Sequence, residues 1–273
     1  MAERRRPDKG RGTSVRKGST LRVEVDGPLM HAVLDGPETD NTLGHGTLRD
    51  LLALYESLRD RPEIRVVTLR GTGRSFCSGT EPVALPESPG GGLDGAVAAA
   101  RLANQVCNAV SGTDAITLVR VQGAVTGFGL ALMIACDLRL ADDDAVFRLP
   151  ELFVGRPPCW GGAVGRLLAE IGAPRTRELI LLGERVEAST AERYGLVNRI
   201  GTRQQNDVLE ALWTRRLLRA HPAGSRVAKA RLRAYGQRGR PGHPAGSDAE
   251  ILSAFSALAQ YRETHGDPSR LPG

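Results

Sequence analysis

The chain has 273 residues, 41% of them hydrophobic, and a formal net charge of +6, which is enough apolar material for one large or two small domains. The positive excess does not describe a nucleic-acid surface: within residues 1–17, Arg4, Arg5, Arg6, Lys9, Arg11, Arg16 and Lys17 oppose only Glu3 and Asp8, and the remainder is nearly balanced. Four widely spaced cysteines and five histidines without metal-ligand spacing argue against a zinc site and for small, reduced, buried thiols.

Residues 1–19 are basic, with Val15 the one sizeable aliphatic residue in residues 1–17, so they bury too little to offset their ordering entropy and are expected to be a disordered tail. The basic start lacks the apolar stretch of a secretory signal, and no apolar run reaches membrane-spanning length. A soluble, cytoplasmic chain is expected. Leu21 to Asp26 and Leu29 to Leu34 then read as strands of a hairpin split by Asp26-Gly27-Pro28. Leu48, Leu51, Leu52, Tyr55 and Leu58 recur at helical spacing up to Pro62, and Ile64 to Leu69 is a compact β-branched run. The following Gly71-Thr72-Gly73-Arg74-Ser75-Phe76 lacks the third glycine of a dinucleotide fingerprint and leads into loop, which excludes a Rossmann turn. Ser75 and Ser78 do not stand in a nucleophile elbow.

Residues 82–95 are rich in Pro and Gly, Ala96 to Val110 is helical in pattern, and Ile116 to Val121 is a further strand. Val119 to Asp137 (VRVQGAVTGFGLALMIACD) reads as strand, Gly-rich turn and uncharged buried helix, an entry that brings backbone N–H groups and a partial positive charge to one point. Short strands are expected at Leu138 to Ala141 and Ala145 to Phe147, helices at Ala163 to Ile171 and Pro174 to Leu182, and a capping box at Ser189-x-x-Glu192. Trp213 to Ala220, Ser225 to Tyr235 and Asp248 to His265 complete a helical last third, the final helix carrying Ile251, Leu252, Phe255, Leu258 and Ala259 on one face. Strands alternating with helices give an α/β chain with a mainly parallel core.

Four stretches, Asn41-Thr42-Leu43, Val66 to Glu81 (VVTLRGTGRSFCSGTE), the 119–137 segment and Phe147 to Gly162 (FRLPELFVGRPPCWGG), together with Val186 to Val197, resemble the enoyl-CoA hydratase/isomerase, or crotonase, superfamily over about residues 20–235. The resemblance implies a fold of repeated ββα units: a core over 20–200 behind the 1–19 tail, and a helical region over 201–273 that serves trimerisation and covers the site. It implies a homotrimer or hexamer, an acyl-CoA or carrier-protein thioester as partner, no membrane or nucleic acid, and no cofactor or metal beyond the CoA of the substrate.

On the matching positions, the amides of Ser78 and Phe128 become the oxyanion donors that stabilise a thioester enolate. Cys77, Gly79, Thr80, Gly127, Ala131 and Arg156 fall to substrate binding. Hydratases of the family resemble one another in carrying two glutamates; here one position holds Ala131 and the other Glu151. One carboxylate suits a 1,3-proton shift, in which a single base removes and returns a proton, better than addition of water. The resemblance therefore implies double-bond isomerisation or hydration/dehydration on Glu151. A decarboxylase or dehydratase of a polyketide-type pathway and a noncatalytic acyl-CoA-binding protein are the alternatives. Arg148 and Arg156 are placed to pair with Glu151 or to bind a substrate carboxylate. Phe128 replaces a residue usually Gly or Ala and is placed to narrow the acyl pocket or distort the hole, and Glu81 replaces the usual Asp.

Overall fold

A computed structural model describes residues 20–80, 93–154 and 162–237. The basic tail, Glu81, Arg156, Cys159 and the helix expected at Asp248 to His265 lie outside them. The hairpin forms as expected from β1 (Leu21–Asp26) and β2 (Leu29–Leu34), in antiparallel register from Leu21 opposite Leu34 to Asp26 opposite Leu29. Helix α1 (His45–Ser57) buries Leu48, Leu51 and Tyr55, the i, i+3, i+7 stripe of its sequence, and leads to β3 (Val66–Gly71). After α2 (Leu93–Gly112) comes β4 (Ile116–Val121).

Sequence pattern alone misplaces the next step. A second strand, β5 (Ala124–Thr126), stands between Gly123 and the helix, so the chain leaves one sheet and enters another before α3 (Phe128–Ile134) begins. Three residues with one buried side chain carry too little period to register as a strand. The move repeats: β6 (Leu138–Asp142) lies in the first sheet, β7 (Val146–Arg148) in the second, and α4 (Ala163–Leu182) follows, interrupted by non-helical backbone at Gly172 between the two segments expected from sequence. The final elements are β8 (Val186–Glu187), α5 (Ala188–Tyr194), β9 (Arg199–Gly201), α6 (Arg203–Arg219) and α7 (Pro222–Gln237).

The larger sheet runs β1-β2-β3-β4-β6-β9, parallel beyond the first pair, and the smaller runs β5-β7-β8. These are the repeated ββα units that the resemblance implies.

The expected capping box at Ser189 is not formed: α5 starts at Ala188 and its N-cap, Glu187, makes no side-chain cap bond. The box sits instead at Thr202 and Gln205, opening α6 about ten residues before the helix expected at Trp213. Both sites carry the S/T-x-x-E/Q pattern, but Ser189 already lies within the first turn of α5, whereas Thr202 stands at the N-cap of α6.

The apolar core lies on the α1, α2 and α3 side of the large sheet, with Met30, Leu34, Leu69, Val119, Val121 and Ala141 fully buried there. The opposite side mixes buried leucines, Leu118 and Leu140, with charged and polar groups. Arg120 of β4 pairs with Asp142 of β6 (3.0 and 3.2 Å) and with Asp207 of α6, while Asn206 Nδ2 donates to the Ala141 carbonyl and Asp142 Oδ1, both at 2.8 Å. Lys229 of α7 donates to the Ala115 carbonyl and Asp137 (2.7 and 2.6 Å). The C-terminal helices are thus fastened to the sheet in part by hydrogen bonds and charge pairs, each with at least one buried partner.

Candidate active site

Three segments from different units converge on the turn that opens α3. The first is the turn itself. Gly127 holds φ 56° and ψ −118°, a region closed to side-chain-bearing residues, and its N–H donates to the Arg148 carbonyl at 3.0 Å. The first helical bond runs from Ala131 N–H to the Gly127 carbonyl, so the amides of Phe128, Gly129 and Leu130 precede the ladder. Helix α3 has only seven residues, so these local N–H groups, rather than a long dipole, carry the positive field.

The second segment is the stretch after β3. Cys77 N–H donates to the Ala124 carbonyl (3.1 Å) and Thr126 N–H to the Cys77 carbonyl (3.0 Å), which adds residue 77 to the small sheet beside β5. A Cβ on Gly129 would lie 2.6 Å from the Cys77 carbonyl oxygen and 2.8 Å from its Cβ. Glycine at 129 is what lets the first turn of α3 touch the stretch after β3.

The third is Glu151, at the start of a 3-10 turn over Glu151–Val154. Its residue is 7% exposed, and its Oε1 lies 2.8 Å from where a Cβ of Gly127 would stand. The carboxylate therefore rests on the bare face of Gly127, next to the amide of Phe128.

Around Ser78 the structure supplies partners that the sequence does not announce. Ser78 N–H donates to the Asp40 carbonyl at 3.0 Å, and its hydroxyl shares a 2.6 Å hydrogen bond with that of Thr42. Asp40 and Asn41 both adopt left-handed backbone, φ 52° and 53°, which Asp and Asn tolerate better than other side chains. Asn41 is buried and spans the site's base: its Oδ1 accepts from Gly36 N–H (2.8 Å) and its Nδ2 donates to the carbonyls of Thr72 (2.8 Å) and Ser75 (2.9 Å). Arg74 takes both oxygens of Asp40 (2.7 and 2.5 Å) and Ser75 Oγ adds 3.0 Å, so hydrogen bonding to Arg74 holds the Asp40 carboxyl below its usual range. A Pro-containing turn ending in Asp-Asn is the one signal that could have singled out this pair.

Of the residues expected at the site, Gly79, Gly127, Phe128 and Glu151 stand around the α3 entry, and Thr80 bridges to Leu43 at its margin. Cys77 and Ala131 are fully buried and face the core. Burial pushes the Cys77 thiol up to about 12, which makes it a packing group and not a nucleophile. The phenyl ring of Phe128 is also buried in the core. Arg148 Nε donates to the Gly183 carbonyl at 2.8 Å, which gives that guanidinium a fixed structural partner.

The sequence model of the enoyl-CoA hydratase/isomerase family matches residues 26–263. YngF of Bacillus subtilis, named as an enoyl-CoA hydratase/isomerase, is 32% identical over 171 residues, 61% of this chain and 63% of that protein, so the chain spans just under two thirds of its length. The Mycobacterium avium protein named probable enoyl-CoA hydratase echA17 is 29% identical over 245 residues, 89% of this chain and 92% of that one. Among solved structures, DspI of Pseudomonas aeruginosa superimposes with a TM-score of 0.80 at 26% identity over 90% of each chain. An enoyl-CoA hydratase/isomerase from Marinobacter aquaeolei shares the fold with a TM-score of 0.77 at 24% identity, over 89% of this chain and 91% of that one.

Proposed function

The chain belongs to the enoyl-CoA hydratase/isomerase family, and from that membership we propose that it binds an enoyl thioester of coenzyme A and shifts its double bond with Glu151 as the proton-carrying carboxylate. The observation that carries this reading is the pairing of Glu151 on Gly127 with Ala131 one helical turn further on, fully buried and unable to move a proton. Glu151 takes a proton from the carbon between thioester and double bond, the electrons move into the thioester carbonyl, and the carboxylic acid returns that proton at the far end of the allylic system. The bonds broken and formed are C–H at each end, and no water or redox partner is consumed.

The developing oxyanion is assigned to the N–H of Phe128 and the N–H of Ser78. Each such donor contributes about 3–4 kcal/mol in acyl-transfer sites. The Phe128 amide is ahead of the helical ladder; the Ser78 amide must pass from the Asp40 carbonyl to the thioester oxygen, so full stabilisation arrives only when that oxygen is in place. Gly79 and Thr80 line the same approach, Cys77 and Ala131 support it from the core, and Arg156 is assigned to the substrate.

A spectrophotometric assay on 3-enoyl- and 2-enoyl-CoA esters tests the reading. Glu151→Gln is expected to lower turnover at least a thousandfold with thioester affinity within a fewfold of wild type. Wild-type protein that binds these esters without converting any of them would overturn it in favour of a binding role. Among the described residues Phe153 (61% exposed), Leu181 and Leu182 are exposed near Gly183, which supports self-association into a trimer or hexamer, measurable by light scattering. Deletion of residues 1–19 is expected to leave turnover unchanged.

A further inference from the structure

Residues 71–76 carry the chain from the end of β3 to the Cys77 bridge, and their shape is set from outside by two carboxamides. On one side stands Asn41, whose Nδ2 reaches the Thr72 and Ser75 carbonyls. On the other stands Gln122, the residue that follows β4. Its Nε2 donates to the carbonyls of Gly71 (2.8 Å) and Gly73 (3.3 Å), and its own backbone carbonyl accepts Phe76 N–H at 2.8 Å. The remaining carbonyl, that of Arg74, lies 1.9 Å from where a Cβ of Gly123 would stand, so the turn presses there on bare backbone. Each carbonyl from Gly71 to Ser75 thus meets either a carboxamide N–H or a glycine.

Gln122 is buried, and a carboxamide that faces two carbonyl oxygens must present its NH2 group to both. An apolar side chain of the same length would fill the space and leave those oxygens without that donor. The same strand end also holds the chain beyond the turn: Ala124, two residues on, accepts Cys77 N–H, and the Cys77 carbonyl accepts Thr126 N–H. Residues 122–126 therefore fix both the turn and the stretch after it against Gly127 and α3.

We propose that Gln122 is a positioning residue for the site, a role that presupposes the thioester chemistry assigned above to Glu151. Its two donated bonds hold the 71–76 turn so that the 77–80 stretch meets the entry of α3 in one register. It touches no reacting atom and acts through the turn.

Gln122→Met, of similar length and without a donor, tests this in the full chain. Its control is Lys229→Met, which removes the bonds to the Ala115 carbonyl and Asp137 at the opposite end of β4. Gln122→Met is expected to lower kcat on 3-enoyl-CoA esters about tenfold or more with KM within about threefold, since a small misplacement of a site segment costs rate before it costs binding. The amide resonances of Cys77 and Phe128 should shift with it. Lys229→Met is expected to lower the melting temperature while leaving kcat and both resonances near wild type. Gln122→His, which returns one ring N–H to the turn, should have a kcat between wild type and Gln122→Met, and it decides alone if Gln122→Met does not fold: wild-type kcat there overturns the role. Wild-type kcat in Gln122→Met, or a kcat that falls in step with melting temperature in both Gln122→Met and Lys229→Met, also overturns it. Wild-type protein that converts none of the esters would defeat the thioester chemistry instead; the resonances then decide on Gln122, shifted ones upholding its hold on the 77–80 stretch and unmoved ones overturning it.

Discussion

Gly127 is the residue on which geometry and chemistry meet. A methyl group there would stand 2.8 Å from Glu151 Oε1 on a backbone at φ 56°, so Gly127→Ala must both displace the carboxylate and strain the turn. The expected stability loss is about 1–2 kcal/mol, and the expected fall in kcat is tenfold or more with KM little changed; unaltered kcat would separate Glu151 from the reaction. His31 gives a pH signature. Burial, and then the neighbouring charge of Arg70, lower its pKa from 6.5, so the folded state binds its proton less readily than the unfolded chain. Stability from this group is present above pH 6.5 and is lost as pH falls through that value toward the depressed one. Melting temperatures taken across that interval should decline for wild type and decline less for His31→Asn. Sequence inspection could place Glu151 and the Phe128 amide through the family pattern. It could not show that Ser78 N–H is engaged by Asp40, because that bond joins residues 38 positions apart through two left-handed backbones.

At the scale of elements, the two capping patterns offer a controlled pair. Thr202 accepts from Gln205 N–H and Gln205 returns to Thr202 N–H (3.3 and 2.8 Å), whereas Ser189 lies inside α5 without that arrangement. Thr202→Ala should cost about 1 kcal/mol in urea unfolding and Ser189→Ala close to nothing; equal losses would put the cap back at Ser189. The buried pair of β4 and β6 on which Asn206 of α6 rests contributes more than the cap. Removing Asp142 leaves Arg120 buried, 7% exposed in its side chain, without its main counter-charge, so Asp142→Ala should cost about 3–5 kcal/mol. Long periodic elements such as α1 and the β1–β2 hairpin were legible because each carries its own apolar period and its own turn. Strand β5 was not, since its pairing to β7 and its bridge to Cys77 supply the order that three residues cannot encode.

On the scale of the whole molecule, one chain is threaded so that each unit contributes a strand to the large sheet and a short strand or bridge to the small one. Composition and alternation were sufficient for the α/β class, and the family pattern for the repeated units. The polar mounting of α6 and α7 was beyond both, because a charged side chain in sequence gives no sign of whether a partner waits across the sheet. The bridge between Cys77 and Val125 has a kinetic consequence. The amides of Cys77, Thr126 and Gly127 are held by successive bonds to Ala124, Cys77 and Arg148, so none can open without loosening a neighbour. Their hydrogen-exchange rates should converge on one opening free energy and rise together with added denaturant. Cooperative opening of this kind keeps the segments that carry the proposed Ser78 and Phe128 donors in one register.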